Sequence, residues 1–195
     1  LDIQAEQRVV TKQPDGVQVD DRRAASQKQE GLYAVEYHPI GGCPAPAKLK
    51  ELYEAMKDME QTEIRIAPDE KLYVINLTGA EAQKILEITK DSAQTAFEAS
   101  VACIGASICQ VGLRDSQKVL AELVSASREW GYEDGVLPKI HISGCPSSCG
   151  THQIGRIGLR GAVKKVDGKT QPAFVLTVNG NDREGKERFG EQVGT

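Results

Sequence analysis

Four cysteines, arranged in two pairs, are the residues of this chain whose types and spacing point most directly to chemistry. Cys103 and Cys109 form a C-x5-C pair, and Cys145 and Cys149 form a C-x3-C pair. Thiolate sulfur is a soft anionic ligand that suits iron, and four thiolates fill the four corners of a 4Fe-4S cubane. The spacing therefore predicts that two loops converge on one such cluster.

Two other interpretations of these cysteines stay open from the residues alone. Free cysteines are common as small buried hydrophobic residues, so the four thiols need not be connected. A structural zinc ion is the second alternative, although zinc ribbons typically space both pairs by two to four residues, unlike Cys103 and Cys109. The fifth cysteine, Cys43, lies between Gly42 and Pro44 and is interpreted as a turn thiol with no ligand role.

The composition bounds the class of protein. A hydrophobic content of 39% with 27% charged residues is ordinary for a globular protein. The formal net charge of −4 and the absence of a long Lys and Arg run argue against nucleic-acid binding. Because no long apolar run or export signal is present, we expect a cytoplasmic protein with no membrane partner. The chain begins at Leu1 rather than Met, so we expect a fragment of a longer protein.

The elements that precede the cysteine pairs predict a compact α+β unit. Residues 1–31 are polar and are interpreted as an arm or linker. The next predicted elements are a strand over 32–37 and an amphipathic helix over 46–60. Two adjacent strands follow, one at 64–66 and one at 72–77, which are expected to form a hairpin. Thr78 and Glu81 have capping-box spacing and predict the start of a second helix. This order resembles half of a ferredoxin-like fold, so a first domain is placed at 32–92.

The cysteine pairs lie in a second predicted domain, 93–195, of mixed α/β type. Small residues around Cys103 and Cys109 allow the backbone to approach a bulky group closely. A helix is expected over 110–129, with its positive N-terminal end towards an anionic cluster, and Gly131 ends it. A strand over 139–142 leads into the second cysteine pair. Strands over 153–159 and 173–178 follow, and residues 181–195 are expected to be mobile.

The sequence around both cysteine pairs resembles the signature of the siroheme-containing nitrite and sulfite reductases. The resemblance is carried by residues 101–109 and 139–150, continues through 154–161 and 174–180, and extends to 32–90. It implies the C-terminal half of such an oxidoreductase. The implied fold is α+β, with a ferredoxin-like half-domain followed by a mixed α/β domain that binds siroheme and a 4Fe-4S cluster.

The resemblance also implies roles for the cysteines. All four would ligate the cluster, and the sulfur of Cys149 would in addition bridge to the siroheme iron and pass electrons to it. The implied reaction is the six-electron reduction of a small anion, nitrite to ammonia or sulfite to sulfide, at the iron of the siroheme. The implied electron donor is a ferredoxin or a flavoprotein or NAD(P)H-linked reductase.

A second half is implied as a partner. Family members contain two related halves around the siroheme, and the residues that contact the substrate belong largely to the N-terminal half, which this chain lacks. No catalytic residue is therefore assigned here, and we expect this isolated half to be inactive. The alternative function is a non-catalytic iron-sulfur module for electron transfer or interaction that needs a partner chain. A zinc-stabilised or metal-free domain is the third possibility.

Siroheme carries many carboxylates, which require charge-assisted hydrogen-bond donors. The first candidates, directly after the signature, are His152, Gln153 and Arg156. His141 is interpreted as a packed or exposed strand residue and His38 as a turn residue. Further basic candidates, for each of which a solvated surface charge is the preferred interpretation, are Arg22, Arg23, Lys28, Arg160, Lys164, Lys165 and Arg183.

Overall fold

The computed structural model describes residues 9–195, which divide into two compact units. The first unit comprises the described residues up to Tyr37 together with Pro44–Ser92, and the second comprises His38–Cys43 and Ala93–Thr195. The described residues contain two sheets and three α-helices, which confirms the predicted α+β class. In this part of the chain no helix is both long and apolar enough to cross a bilayer.

The first unit is a four-stranded antiparallel sheet with two helices. Its strands lie in the order β1-β2-β4-β3. The elements are β1 (Ala24–Ser26), β2 (Tyr33–Tyr37), α1 (Pro46–Met56), β3 (Glu63–Ala67), β4 (Lys71–Leu77) and α2 (Gly79–Ile88). The predicted order of strand, helix, strand, strand, helix is confirmed, and β1 is an addition from the polar N-terminal segment.

The apolar periodicity of these elements determines the core of the first unit. Alternate residues of β2 are buried, while the two helices turn one face each towards the sheet. The capping box at the start of α2 forms as predicted, since Thr78 N–H donates to Glu81 Oε2 at 2.8 Å. The buried core consists of Tyr33, Val35, Tyr37, Leu52, Val74, Leu77, Ala82, Ile85 and Leu86.

Polar residues of the N-terminal segment satisfy both ends of α2. The Asp15 carboxylate accepts from Ala80 N–H at 2.9 Å, and this bond is the main reason why the pKa of Asp15 falls to about 2. At the other end, the Arg23 guanidinium donates to the carbonyls of Thr89 at 2.7 Å and Leu86 at 3.0 Å. Helix termini need such partners because their backbone groups have none within the helix.

The second unit is a five-stranded mixed sheet with one helix. Its strands lie in the order β5-β6-β7-β8-β9, parallel from β5 to β7 and antiparallel from β7 to β9. The elements are β5 (Val101–Ala102), α3 (Ser116–Trp130), β6 (Ile140–Ser143), β7 (Ile157–Val166), β8 (Lys169–Val178) and β9 (Glu191–Gly194). The buried core consists of Phe97, Ala102, Leu120, Val124, Ile140 and Ile142.

Four elements of the second unit differ from their predictions by more than one residue, among them β8, which begins at Lys169 rather than at residue 173. The helix α3 begins at Ser116 rather than at residue 110, because the preceding residues form turns in which Gly112 N–H donates to Cys109 O at 3.0 Å. The strand β7 runs from Ile157 to Val166 instead of over 153–159. The expectation of a mobile C-terminus is wrong for Glu191–Gly194, which pair with β8 as β9.

Candidate metal centre

Four cysteines line one cavity of about 160 Å³ in the second unit. Cys103 and Cys109 lie between β5 and α3, while Cys145 and Cys149 lie directly after β6. Because β5 and β6 are adjacent and parallel, their carboxyl ends deliver both loops to the same edge of the sheet. Cys43 does not line this cavity, and all five thiols are free of disulfides.

Backbone hydrogen bonds fasten the two cysteine loops to each other. The Gly144 carbonyl accepts from the N–H groups of both Leu113 and Arg114 at 2.9 Å. A Cβ on Gly144 would lie 2.6 Å from Arg114 O, and a Cβ on Gly105, whose φ is +69°, would lie 2.6 Å from Ser116 N. Only glycine permits such contacts, so these positions allow the loops to meet.

Hydrogen-bonding groups lie beside the sulfur atoms of Cys103 and Cys145. Gly144 N–H donates to Cys103 Sγ at 3.1 Å, and Ser116 Oγ lies 3.2 Å from the same sulfur. Ser116 is the first residue of α3, so the positive end of this helix lies beside Cys103, although it begins later than predicted. Hydrogen bonds from the side chain and then the backbone of Ser147 lower the pKa of the Cys145 thiol. This lowered pKa favours the thiolate form of Cys145.

The donor set fits an iron-sulfur cluster. The cavity wall offers four sulfur ligands, no carboxylate and no imidazole, and it includes the apolar side chains of Ile104 and Val111. Within residues 9–195, no three His, Cys, Asp or Glu side chains are arranged to hold a single metal ion. The four thiols line one cavity, and in this part of the chain they are not gathered at a single tetrahedral point.

His141 supports the turn that follows Cys149. Its side chain is buried, with Nδ1 at 2.8 Å from Thr151 Oγ1 and 3.2 Å from Gly150 O, and Nε2 at 3.3 Å from Asp182 Oδ2. Gly155 lies flat against the ring, because a Cβ there would be 2.8 Å from His141 Cβ. Burial is the main cause that lowers the pKa of His141. The strand position was foreseen, whereas its contacts with the turn were not.

The residues predicted to face the siroheme separate into two groups. His152 is buried, and its Nδ1 lies 3.0 Å from Ser143 Oγ and 3.2 Å from Ser148 Oγ. The Ser148 hydroxyl also donates to the side-chain carbonyl of Gln153. Burial, followed by the charge of Arg160, lowers the pKa of His152. His152 and Gln153 line a second cavity, whereas Arg156 is exposed and lines neither.

Most of the other basic candidates lie outside both cavities. Arg23 is engaged at the end of α2, and Arg160 is half-buried at the second cavity. His38 lies directly after β2 and its side chain is buried. The residues that sequence reasoning missed are Ser116, Ser143 and Ser147; for Ser143 and Ser147, their positions two residues from Cys145 were the available signal. The exposed candidates that line neither cavity are Arg22, Lys28, Lys164, Lys165 and Arg183.

Comparison with known proteins finds nitrite reductases and sulfite reductases of similar sequence. No protein-family model matches the chain. The ferredoxin-nitrite reductase of Synechococcus elongatus is 31% identical over 149 residues, covering 73% of this chain and 29% of that protein. The assimilatory-type sulfite reductase of Nitratidesulfovibrio vulgaris is 26% identical over 177 residues, covering 88% of this chain and 76% of that protein.

A solved structure extends the likeness to the fold. The NirA protein of Mycobacterium tuberculosis superposes with a TM-score of 0.74 at 23% identity, covering 92% of this chain and 34% of that one. The chain is thus a protein of α+β class that shares its fold with this structure and has a cavity lined by four cysteines. The chain belongs to the nitrite and sulfite reductase family. It spans less than a third of the length of most curated relatives that it matches.

Proposed function

We propose that this chain forms the cluster- and siroheme-binding part of an oxidoreductase that reduces nitrite to ammonia or sulfite to sulfide with six electrons. The observation that carries the proposal is the single cavity lined by Cys103, Cys109, Cys145 and Cys149 in a member of this family. The relatives supply the two substrates, because they are named nitrite reductases and sulfite reductases. Both substrates are small anions.

The four cysteines would hold a 4Fe-4S cluster, and Cys149 would also bridge to the siroheme iron. Cys103 and Cys109 are half-buried and Cys145 is buried, whereas Cys149 is exposed. Cys149 is therefore the thiol of this set that a second group can approach most readily. When bound, the coupled cluster and siroheme supply the electrons and the iron at which a small anion is reduced.

The side chains around the cavity would tune this centre. Hydrogen bonds to sulfur and exclusion of solvent both influence the reduction potential of an iron-sulfur cluster. Gly144 N–H supplies such a hydrogen bond to the Cys103 sulfur, and the side chains of Ile104 and Val111 form an apolar part of the cavity wall. His152, Gln153 and Arg156 are proposed to face the carboxylates of the siroheme.

The proposed organisation is an arm over 1–31, a ferredoxin-like half-domain over 32–92 and a cofactor-binding domain over 93–195. The substrate-contacting residues would come from a second half, since most matched relatives are much longer than this chain. Ferredoxin is the proposed electron donor by analogy with the ferredoxin-nitrite reductases, and a flavoprotein or NAD(P)H-linked reductase is the alternative donor.

A non-catalytic iron-sulfur module is the second candidate function. The small fraction of the longer relatives that this chain spans favours it. The Nitratidesulfovibrio relative favours the catalytic candidate, because this chain covers 76% of that sulfite reductase. Direct measurement of nitrite and sulfite reduction by the full chain distinguishes the two candidates.

Metal analysis with matched cysteine variants tests the cluster. The full chain is reconstituted anaerobically with iron and sulfide, and iron, acid-labile sulfide and zinc are measured. Cys149→Ser is expected to lose cluster, while Cys43→Ser, which changes a thiol outside the cavity, retains the wild-type content. Zinc without iron, or an unchanged cluster in Cys149→Ser, would contradict the proposal.

Siroheme titration separates the catalytic candidate from the module. The reconstituted chain is titrated with siroheme and followed by visible absorbance, alone and together with the N-terminal half of a family member. Saturable siroheme binding by the chain, alone or with the added N-terminal half, supports the catalytic candidate. Absence of binding in both mixtures favours the electron-transfer or interaction module.

A further inference from the structure

The cavity of the second unit that is lined by His152, Gln153 and Arg160 has a volume of about 340 Å³ and is hereafter called the β7–β9 cavity. Strand register places its side chains on one face of the sheet, since Gly158 pairs with Thr177, and Thr177 pairs with Gln192. A Cβ on Gly158 would lie 1.9 Å from His152 O, so the glycine makes room for the His152 backbone against that face. Arg160 lies two residues further along β7, on the same side.

The charge of this cavity is positive and uncompensated. Arg160 is half-buried and lines it, whereas no Asp or Glu does. Across the described residues 9–195, the Arg160 guanidinium makes no ion pair and no hydrogen bond. A partly buried cation without an anionic partner is costly, because it loses hydration and gains nothing in exchange. An anion in the β7–β9 cavity would remove that cost.

Neutral donors complete the wall. The Ser143 hydroxyl accepts from Gly150 N–H at 3.2 Å and lies 3.0 Å from His152 Nδ1, to which its own proton can be donated. With Nδ1 as the acceptor, the neutral imidazole carries its proton on Nε2. The lowered pKa of His152 favours this neutral form. The Gln153 carbonyl oxygen accepts from Ser148, which leaves its amide NH2 as a donor.

We propose that the β7–β9 cavity binds the oxyanion group of a small anion, with the Arg160 guanidinium as its charged partner and His152 and Gln153 as neutral donors. Arginine presents a planar fork of N–H groups that matches carboxylates and oxyanions. The group can come from two sources, a free anion of the nitrite or sulfite type or a carboxylate of a bound siroheme. The first source does not depend on the proposed function.

The β7–β9 cavity adjoins the cysteine cavity. Ser143 also lines the cysteine cavity, so the contact between Ser143 and His152 separates the two cavities. An anion held at Arg160 therefore lies one hydrogen-bonded contact away from the wall of the cysteine cavity. If the proposed function holds, this arrangement concentrates the substrate anion, or anchors the siroheme, beside the cluster.

Anion titration of the full chain tests the free-anion source. Nitrite, sulfite and acetate are added at constant ionic strength with chloride as the balancing anion, while calorimetry and the ring resonances of the three histidines are followed. We expect saturable binding of at least one of the three, with a shift of the His152 signal. Arg160→Gln should weaken that affinity about tenfold or more, because it removes a charge-assisted hydrogen bond.

Arg183→Gln is the matched control, since Arg183 is exposed, lies outside the cavity and loses the same charge. Its affinity for the anion should equal that of the wild type. If circular dichroism shows that Arg160→Gln is misfolded, Arg160→Lys replaces it. Lysine keeps the charge and loses the fork, so weaker binding of the same anion is expected.

Siroheme titration tests whether the bound group is a carboxylate of siroheme. If free anions do not bind, but Arg160→Gln weakens siroheme binding while Arg183→Gln does not, the occupant is a siroheme carboxylate. The inference is overturned if none of the three anions binds and Arg160→Gln takes up siroheme as the wild type does. Because the anion titration requires no cluster, its outcome is independent of whether iron is retained.

Discussion

Replacement of Gly150 by alanine is expected to disturb the turn that carries Cys149. A Cβ on Gly150 would lie 2.1 Å from Ile142 O, 2.8 Å from Ile142 C and 3.2 Å from Ser143 Oγ. Two of these neighbours are backbone atoms of β6, which is buried and paired on both sides. Ordinary contact therefore requires the turn to move by about 1 Å, because a packed interior cannot absorb such an overlap.

The cost of this change follows from two effects. Overpacking of a buried site costs about 1–3 kcal/mol. The movement also breaks or lengthens the hydrogen bond from Gly150 N–H to Ser143 Oγ, now 3.2 Å, which contributes about 1 kcal/mol. We therefore expect the free energy of unfolding to fall by about 2–4 kcal/mol and cluster retention to fall with it, since Cys149 is the preceding residue.

Urea unfolding of the metal-free chain measures the first effect, and iron release to a chelator measures the second. Gly194→Ala is the control, because a Cβ at Gly194 meets no atom within 4 Å and this glycine has an ordinary φ. A Gly150→Ala variant with wild-type stability and wild-type iron retention would refute the steric reasoning. Equal losses in both variants would point to a general effect of replacing glycine.

Three further predictions concern titratable residues. His141→Gln should lower the free energy of unfolding by about 2 kcal/mol in urea, because glutamine cannot reach Asp182 and Thr151 together. The pKa values of His141 and His152 lie below the ordinary 6.5, so unfolding takes up protons. Stability should be full above about pH 6.5 and fall as the pH decreases, with a shallower slope in His152→Gln. Asp15→Ala should lower the thermal midpoint at pH 7, and its effect should vanish as the pH falls from 3.8 through about 2.

Local sequence patterns determined every element of the first unit except β1, and they also determined the identity of the four cysteines. Apolar periodicity identified the helices and strands, and the spacing of Thr78 and Glu81 identified the start of α2, because these signals depend on neighbours in the chain. The two cysteine pairs could be read from residue type and spacing for the same reason.

Tertiary structure decided how the sites are assembled. The parallel pairing of β5 with β6 brings two loops about forty residues apart to one cavity, and sequence spacing does not encode strand neighbours. Likewise, β9 was not evident in a polar tail, because its pairing with β8 stabilises it and places Gln192 beside Thr177. Arg160 and His152 were visible as a cation and an imidazole. That they share a cavity without a carboxylate follows only from strand register and from the space left at Gly158.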